Sequence, residues 1–208
     1  MKIENIITKE EQNAMTPDQV LNDLLEGNKR FVAEKLNDKN NKTLVESATA
    51  GQNPKAIILS CVDSRVPVET VLDQAIGDIF VSRVAGNFEN TDILGSMEYA
   101  CKVAGSKLVF VLGHEKCGAV SSACDGVELG NITSMLENIK PAVNAVDVEG
   151  EKNSKNPDFV QAVVEKNVKL TMERIRDKSQ ILTEMENNEE IKIVGGVYSL
   201  KTGKVEML

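Results

Sequence analysis

Short apolar runs alternate with amphipathic helical patterns along most of this chain. Four runs have the continuous hydrophobic character of strands buried in a parallel sheet, and they cover residues 55–61, 78–84, 107–113 and 190–198. Between and beyond these runs, the spacing of apolar residues predicts helices at 68–75, 91–104, 117–124, 131–146 and 158–186. Because strands alternate with helices, the pattern predicts an α/β fold with a mainly parallel sheet.

The two ends of the chain add to this plan. Thr16, Pro17 and Gln19 predict a helix start, with Thr as the N-cap, Pro at the first helical position and Gln completing a capping box. The amphipathic helix that follows, at 16–35, could cross a partner or cover its own sheet. Residues 1–15 and 37–53 are expected to be irregular. Residues 201–204 predict a turn between two strands.

Two local signals refine the helices. Thr91 is the expected N-cap of its helix, and Pro141 is expected to break or kink the helix at 131–146. The predicted fold is therefore a central sheet of four strands plus a C-terminal edge strand, flanked by helices, with an N-terminal helical arm. We expect one domain over 1–208, with 1–54 as arm and loop and 55–208 as the α/β core.

The composition of the chain excludes several classes of binding partner. The chain has 208 residues and a net charge of −8, which argues against binding to nucleic acid or to an anionic membrane surface. No stretch approaches the roughly 20 apolar residues of a membrane span, and no signal peptide is evident. The four cysteines have no close paired spacing, so we expect reduced thiols and a cytoplasmic protein.

The only histidine of the chain, His114, lies three residues before Cys117. Cys61 ends the first predicted strand and His114 directly follows the third, so fold logic brings them to the same sheet edge. Two thiolates and one imidazole form a three-ligand zinc set with one open position. A closed structural zinc site or ordinary buried cysteines are the alternatives for these residues taken singly.

Asp63 and Arg65 alternate with Cys61 in the segment after the first strand. If this segment stays extended, all three side chains point to one side. Asp63 could then be a fourth metal ligand, or it could pair with Arg65 and leave the fourth coordination position of the metal open. A surface ion pair of little consequence is the simpler alternative.

These residues resemble the β-class carbonic anhydrases. The two motifs that carry the resemblance are Cys61-Val62-Asp63-Ser64-Arg65-Val66 and Gly113-His114-Glu115-Lys116-Cys117-Gly118-Ala119. Family-like segments also occur at 51–55, 83–87, 95–100 and 195–198, so the resemblance covers roughly residues 16–205.

The resemblance implies a function and a site. It implies reversible hydration of carbon dioxide to bicarbonate through zinc-bound hydroxide, with one Zn²⁺ per chain on Cys61, His114 and Cys117. It implies that the Asp63–Arg65 dyad gates the metal, with Asp63 a ligand only in a closed, inactive state. It also implies a homodimer or higher oligomer whose substrate pocket includes Gln52, Phe80, Ala85, Tyr99 and Gly118.

Several alternatives stay open at this level. Related proteins hydrolyse carbon disulfide or carbonyl sulfide on a similar site, and a non-catalytic zinc protein is a second class. Some bacterial β-carbonic anhydrases have a noncatalytic bicarbonate site that contains a Trp. This chain has no Trp, so the resemblance implies the constitutively open subtype. Cys101 and Cys124 are expected to be buried structural thiols. Since the one histidine is a ligand, protons are expected to leave through water chains, Tyr99 or carboxylates.

Overall fold

A five-stranded sheet forms the centre of the computed structural model, which describes residues 2–208. The sheet contains β3 (Ala56–Ser60), β4 (Ile79–Arg83), β5 (Leu108–His114), β6 (Lys192–Tyr198) and β7 (Val205–Met207). Their order is β4-β3-β5-β6-β7, and only β7 runs antiparallel to its neighbour. The predicted fold class is therefore confirmed, including the C-terminal edge strand.

Helices cover both faces of this sheet. Alternate residues of the central strands point to opposite faces, and all residues of β3 and β5 are buried, so each face needs a layer of helices. The helices are α1 (Lys9–Ala14), α2 (Pro17–Val32), α3 (Asn41–Ala48), α4 (Val68–Val71), α5 (Thr91–Glu98), α6 (Gly118–Cys124), α7 (Gly130–Leu136), α8 (Lys140–Ala145), α9 (Pro157–Lys178) and α10 (Gln180–Asn187). Val109 and Val111 face a core formed with the later helices, whereas Leu108 and Phe110 face a second core closed by α2 and α4.

The N-terminal helix α2 covers the sheet of its own chain. It begins at the predicted capping box of Thr16 and Gln19, and it buries Val20 and Leu24 in the second core. Of the two alternatives left by the sequence, the structure therefore shows the intramolecular one.

The segments expected to be irregular contain more structure than predicted. Helix α1 begins at a capping box formed by Thr8 and Glu11, and α3 begins at an N-cap formed by Asn40. The strands β1 (Lys2–Ile3) and β2 (Asp38–Lys39) form a separate parallel pair. These elements are short and lack an extended apolar face, which is why hydrophobic spacing did not reveal them.

Several predicted helix boundaries were wrong. Asn90, and not Thr91, caps α5, which continues as a π-helical segment over Tyr99–Val103. The helix predicted at 158–186 is two helices, since Ser179 ends α9 and caps α10. Helix α4 ends early, before the left-handed backbone of Asp73 (φ 51°). The helix predicted at 131–146 is broken, as expected near Pro141: α7 ends at Leu136, and α8 begins at Lys140 with Pro141 in its first turn.

Among residues 2–208, no helix combines the length and apolar character needed to cross a membrane.

Candidate active site

Three buried side chains meet at the carboxyl edge of the sheet. Cys61 directly follows β3, His114 is the last residue of β5, and Cys117 is the N-cap of α6. Because β3 and β5 are parallel neighbours, with Ser60 paired to Leu112, their ends bring Cys61 and His114 together. The ligand atoms of the three side chains all lie within 4.8 Å of one another.

The geometry of this cluster fits a tetrahedral metal. Cys61 Sγ and Cys117 Sγ are 3.9 Å apart. Two zinc–sulfur bonds of about 2.3 Å at a tetrahedral angle span about 3.8 Å. His114 Nδ1 lies 2.8 Å from the Glu115 carbonyl oxygen, which orients the ring. His114 Nε2 is buried and has no hydrogen-bond partner among the described residues. This donor set, with an oriented imidazole, suits Zn²⁺.

The two thiols share a single hydrogen bond, and their acidities diverge as a result. The hydrogen bond with Cys117 lowers the pKa of Cys61 to about 4, and it raises the pKa of Cys117. Backbone N–H groups of α6 act in the opposite direction on Cys117, as expected at a helix N-terminus, but their effect is smaller.

Asp63 and Arg65 form a two-pronged ion pair next to this cluster. Arg65 Nε donates to Asp63 Oδ1 at 2.9 Å, and Arg65 Nη2 donates to Oδ2 at 2.7 Å. Asp63 Oδ2 lies 3.8 Å from His114 Nε2. The side-chain hydrogen bonds from Arg65 hold the pKa of Asp63 well below its usual range, so the carboxylate stays ionised.

The pair forms by a different route than the sequence indicated. The segment after β3 does not stay extended, because the Val66 N–H donates to the Asp63 carbonyl and closes a turn. The Arg65 N–H also donates to Asp63 Oδ1 at 2.9 Å, as in an Asx-turn. Arg65 Nη2 further contacts the carbonyl of Lys116, whose left-handed backbone (φ 51°) precedes Cys117. The turn, and not strand alternation, brings Arg65 to Asp63.

Two features of the segment 83–87 support the site, and sequence reasoning assigned them no role. Arg83 donates to the backbone carbonyls of Cys61 at 2.8 Å and Asp63 at 2.7 Å, so it clasps the turn. The Gly86 N–H donates to Cys61 Sγ at 3.3 Å. These contacts join residues 20 to 25 positions apart, so no local pattern revealed them.

Comparison with known proteins identifies the family. The sequence profile described as carbonic anhydrase matches residues 56–205. Carbonic anhydrase 2 of Mycobacterium tuberculosis is 35% identical over 187 residues, which cover 87% of each chain. The chain belongs to the carbonic anhydrase family. Carbonic anhydrase of Mycolicibacterium smegmatis is 33% identical over 190 residues, covering 88% of this chain and 89% of that protein.

Solved structures confirm the resemblance to the β-class carbonic anhydrases. The Coccomyxa β-carbonic anhydrase, solved with acetazolamide, has a TM-score of 0.70 and 25% identity, covering 90% of this chain and 86% of that chain. A tetrameric β-carbonic anhydrase of Sordaria macrospora has a TM-score of 0.69 and 24% identity, covering 81% and 87% of the two chains. The second likeness concerns the fold alone.

The five pocket residues expected of a β-carbonic anhydrase fall into two groups. Ala85 and Gly118 lie beside the metal cluster, since they adjoin Gly86 and Cys117 in the chain. The others lie elsewhere: Phe80 and Tyr99 form an edge-to-face pair with centroids 6.3 Å apart, and Gln52 is exposed before β3.

The second group is remote from the metal cluster of its own chain. Phe80 is paired with Ile57 of β3, and four residues of extended chain, about 13 Å, separate Ile57 from Cys61. Gln52 precedes the same strand by several more residues. Tyr99 is 56% exposed. A single chain therefore does not assemble the whole expected pocket.

The remaining two cysteines differ from each other. Cys101 is buried, and burial raises the pKa of its thiol to about 12. Cys124 is only half-buried, contrary to expectation, and burial raises its pKa to about 11. Neither is a reactive thiolate at neutral pH.

Proposed function

We propose that this carbonic anhydrase catalyses the reversible hydration of carbon dioxide with one Zn²⁺ per chain, held by Cys61, His114 and Cys117. One observation carries the proposal: three buried donor atoms lie within 4.8 Å of one another, with His114 Nε2 free of any protein partner among residues 2–208. Membership of the family supports the reaction, and three protein ligands leave a fourth position for chemistry.

Zinc bound by these ligands would act as a Lewis acid and lower the pKa of a water molecule towards about 7. The chain's own residues then have separate tasks. Arg65 occupies both oxygens of Asp63 and so keeps this carboxylate from serving as a ligand. Asp63 accepts a hydrogen bond from the attacking water and orients it towards carbon dioxide. This arrangement corresponds to the open state.

We also propose that the enzyme works as a homodimer or a higher oligomer. Gln52, Phe80 and Tyr99 are displaced from the metal cluster of their own chain, and β4, which carries Phe80, is an edge strand of the sheet. A second copy placed along this edge would complete the pocket with Tyr99 of the partner subunit. The β-carbonic anhydrases of Sordaria macrospora, which share this fold, are tetrameric. The single-domain organisation and a cytoplasmic location stay predictions.

Stopped-flow measurement of carbon dioxide hydration tests the proposal. The zinc-loaded protein is expected to bind about one zinc per chain and to turn over, whereas metal-stripped protein is inactive. Asp63→Ala should lower kcat, and Asp147→Ala, which changes an exposed carboxylate outside the metal cluster, should not. Carbon disulfide and carbonyl sulfide are tested in parallel. Zinc-loaded protein without detectable hydration would refute the proposal.

A further inference from the structure

Two buried polar side chains, Asn167 and Thr171, interrupt the apolar face of α9. Asn167 is 1% exposed, and its neighbours on this face are Val163, Val164 and Val168. Asn167 Nδ2 donates to the carbonyl of Gly86 at 2.8 Å, but Asn167 Oδ1 has no hydrogen-bond partner among the described residues. Burying a half-satisfied amide costs free energy compared with an apolar side chain. The hydrogen bond to the Gly86 carbonyl is therefore the physical reason why a buried Asn, and not an apolar residue, stands at position 167.

Gly86 connects this amide to the metal cluster. Its N–H donates to Cys61 Sγ at 3.3 Å. Its backbone is left-handed, with φ +86°, and a Cβ on it would lie 2.4 Å from Ile139 Cδ1. Gly86 is therefore confined on three sides: by Asn167 at its carbonyl, by Cys61 at its N–H, and by Ile139 above its Cα.

We propose that Asn167 is a positioning residue of the metal centre: it holds Gly86 so that the Gly86 N–H points at Cys61 Sγ. The proposal rests on the proposed function, in which Cys61 is a zinc ligand. Hydrogen bonds from outside the ligand set orient metal ligands and adjust their donor strength, and their loss typically costs about 10- to 100-fold in metal affinity or activity.

The loop that contains Gly86 has a second, independent attachment to α9. Arg174 donates to both carboxylate oxygens of Glu89 at 2.9 Å, and Lys178 contacts Glu89 at 2.8 Å. Glu89 is buried. Because this attachment persists without Asn167, loss of the amide is expected to free the Gly86 peptide while the loop stays docked on α9. An effect of Asn167 on the hydrogen bond to Cys61 can thus be distinguished from detachment of the whole loop from α9.

The test compares Asn167→Leu and Asn167→Ser with Thr171→Val. Leu has a similar volume without hydrogen-bonding groups, and Ser is too short to reach the Gly86 carbonyl. Thr171 is the matched control, because it is also buried and lies one turn along the same helix, and its hydroxyl accepts a hydrogen bond from Arg174. Zinc affinity is measured by chelator competition. The Cys61 environment is measured by the thiolate-to-cobalt charge-transfer band of Co²⁺-substituted protein.

Both Asn167 variants are expected to bind zinc about 10-fold more weakly, with Thr171→Val within about twofold of wild type. The charge-transfer band should move to longer wavelength in the Asn167 variants only, because a sulfur without its hydrogen bond donates electrons more readily. Bands and affinities equal to those of Thr171→Val would overturn the proposal. Failure of both Asn167 variants to fold, with Thr171→Val folded, would show a purely structural role and also overturn it. Wild type that binds no metal would instead refute the proposed function.

Discussion

Replacement of Arg65 by Gln tests whether the ion pair keeps Asp63 away from the metal position. The substitution removes two donors, Arg65 Nε and Nη2, from the two oxygens of Asp63. The backbone N–H of residue 65 remains as a donor to Oδ1. The freed carboxylate already lies 3.8 Å from His114 Nε2, so a small rotation would bring it to the fourth position of a metal.

The size of the effect follows from the exposure of the pair. Charge-assisted hydrogen bonds contribute about 1.5–3 kcal/mol each when shielded, and exposed ion pairs contribute about 0.2–1 kcal/mol. The side chain of Arg65 is 51% exposed and that of Asp63 is 14% exposed, so an intermediate value applies. We take about 2 kcal/mol for the two bonds together, which shifts the balance towards a metal-bound carboxylate by about 30-fold.

Stopped-flow hydration, normalised to bound zinc, measures this shift. Arg65→Gln is expected to lower kcat/KM by up to about 30-fold, and a crystal structure of the zinc-loaded variant should show a carboxylate oxygen of Asp63 at the fourth metal position in place of solvent. In the double variant with Asp63→Ala, no carboxylate remains to bind the metal. Its activity should therefore equal that of Asp63→Ala alone, a strongly non-additive result.

Arg176→Gln is the matched control. Arg176 makes a similar two-pronged contact with Glu186, at 2.6 and 2.8 Å, between α9 and α10 and away from the cluster. The Arg176→Gln variant should have the same hydration activity per bound zinc as the wild type. Wild-type activity in Arg65→Gln, or additive losses in the double variant, would show that the ion pair does not control access of Asp63 to the metal.

The remaining predictions concern stability and proton transfer. Burial opposes ionisation of Asp73, but hydrogen bonds from Lys39 and Arg30 outweigh it and lower the pKa of Asp73. Asp73→Asn should therefore cost about 3 kcal/mol in urea unfolding at pH 7, and the difference should shrink as the pH falls below about 4, where the unfolded-state carboxyl is protonated. Gly86→Ala should cost about 3 kcal/mol, because it adds left-handed strain and overpacking. Turnover at saturating substrate should rise with buffer concentration, since His114 is the only histidine and a ligand.

Matched controls accompany these measurements. Asp147→Asn removes an exposed carboxylate and should leave the free energy of unfolding essentially unchanged. Gly95→Ala lies in α5 with nothing near its added Cβ, so it should be neutral or stabilising. An Asp73→Asn cost that stayed constant down to pH 3 would contradict the linkage argument. Equal stability of Gly86→Ala and Gly95→Ala would contradict the packing argument, and buffer-independent turnover would contradict the proton argument.

Local patterns predicted most of the fold. The strands β3, β4, β5 and β6 lie within two residues of their predicted bounds. Their short length and their alternation with helical patterns favoured strands over buried helix segments. The start of α2 at Thr16 was also correct, since a capping box is a purely local signal. The same signal is present at Thr8 and Glu11, so α1 was predictable in principle. Helix α1 has only six residues and no repeated apolar positions, so hydrophobic spacing did not indicate it.

Errors arose where a local signal was ambiguous. Asn90 and Thr91 are adjacent residues that can both cap a helix. In the structure Asn90 has an extended backbone and its side chain accepts a hydrogen bond from the Ile93 N–H, so Asn90 is the N-cap. Ser179 lies in a long helical pattern that continues on both sides. Its hydroxyl caps α10 and donates to Glu98 at 2.6 Å, so a contact far along the chain stabilises the break. Sequence spacing carries no information about such a contact.

The sequence alone determined which residues are candidates for the metal centre, because Cys61, His114 and Cys117 each stand where a predicted strand ends or a helix begins. Only the tertiary structure decided how these residues are supported. The clasp by Arg83 and the link from Asn167 through Gly86 depend on strand order and on how α9 packs over the loop. Hydrophobic periodicity and helix caps arise within a few residues, whereas hydrogen bonds between distant polar groups exist only after the chain has folded.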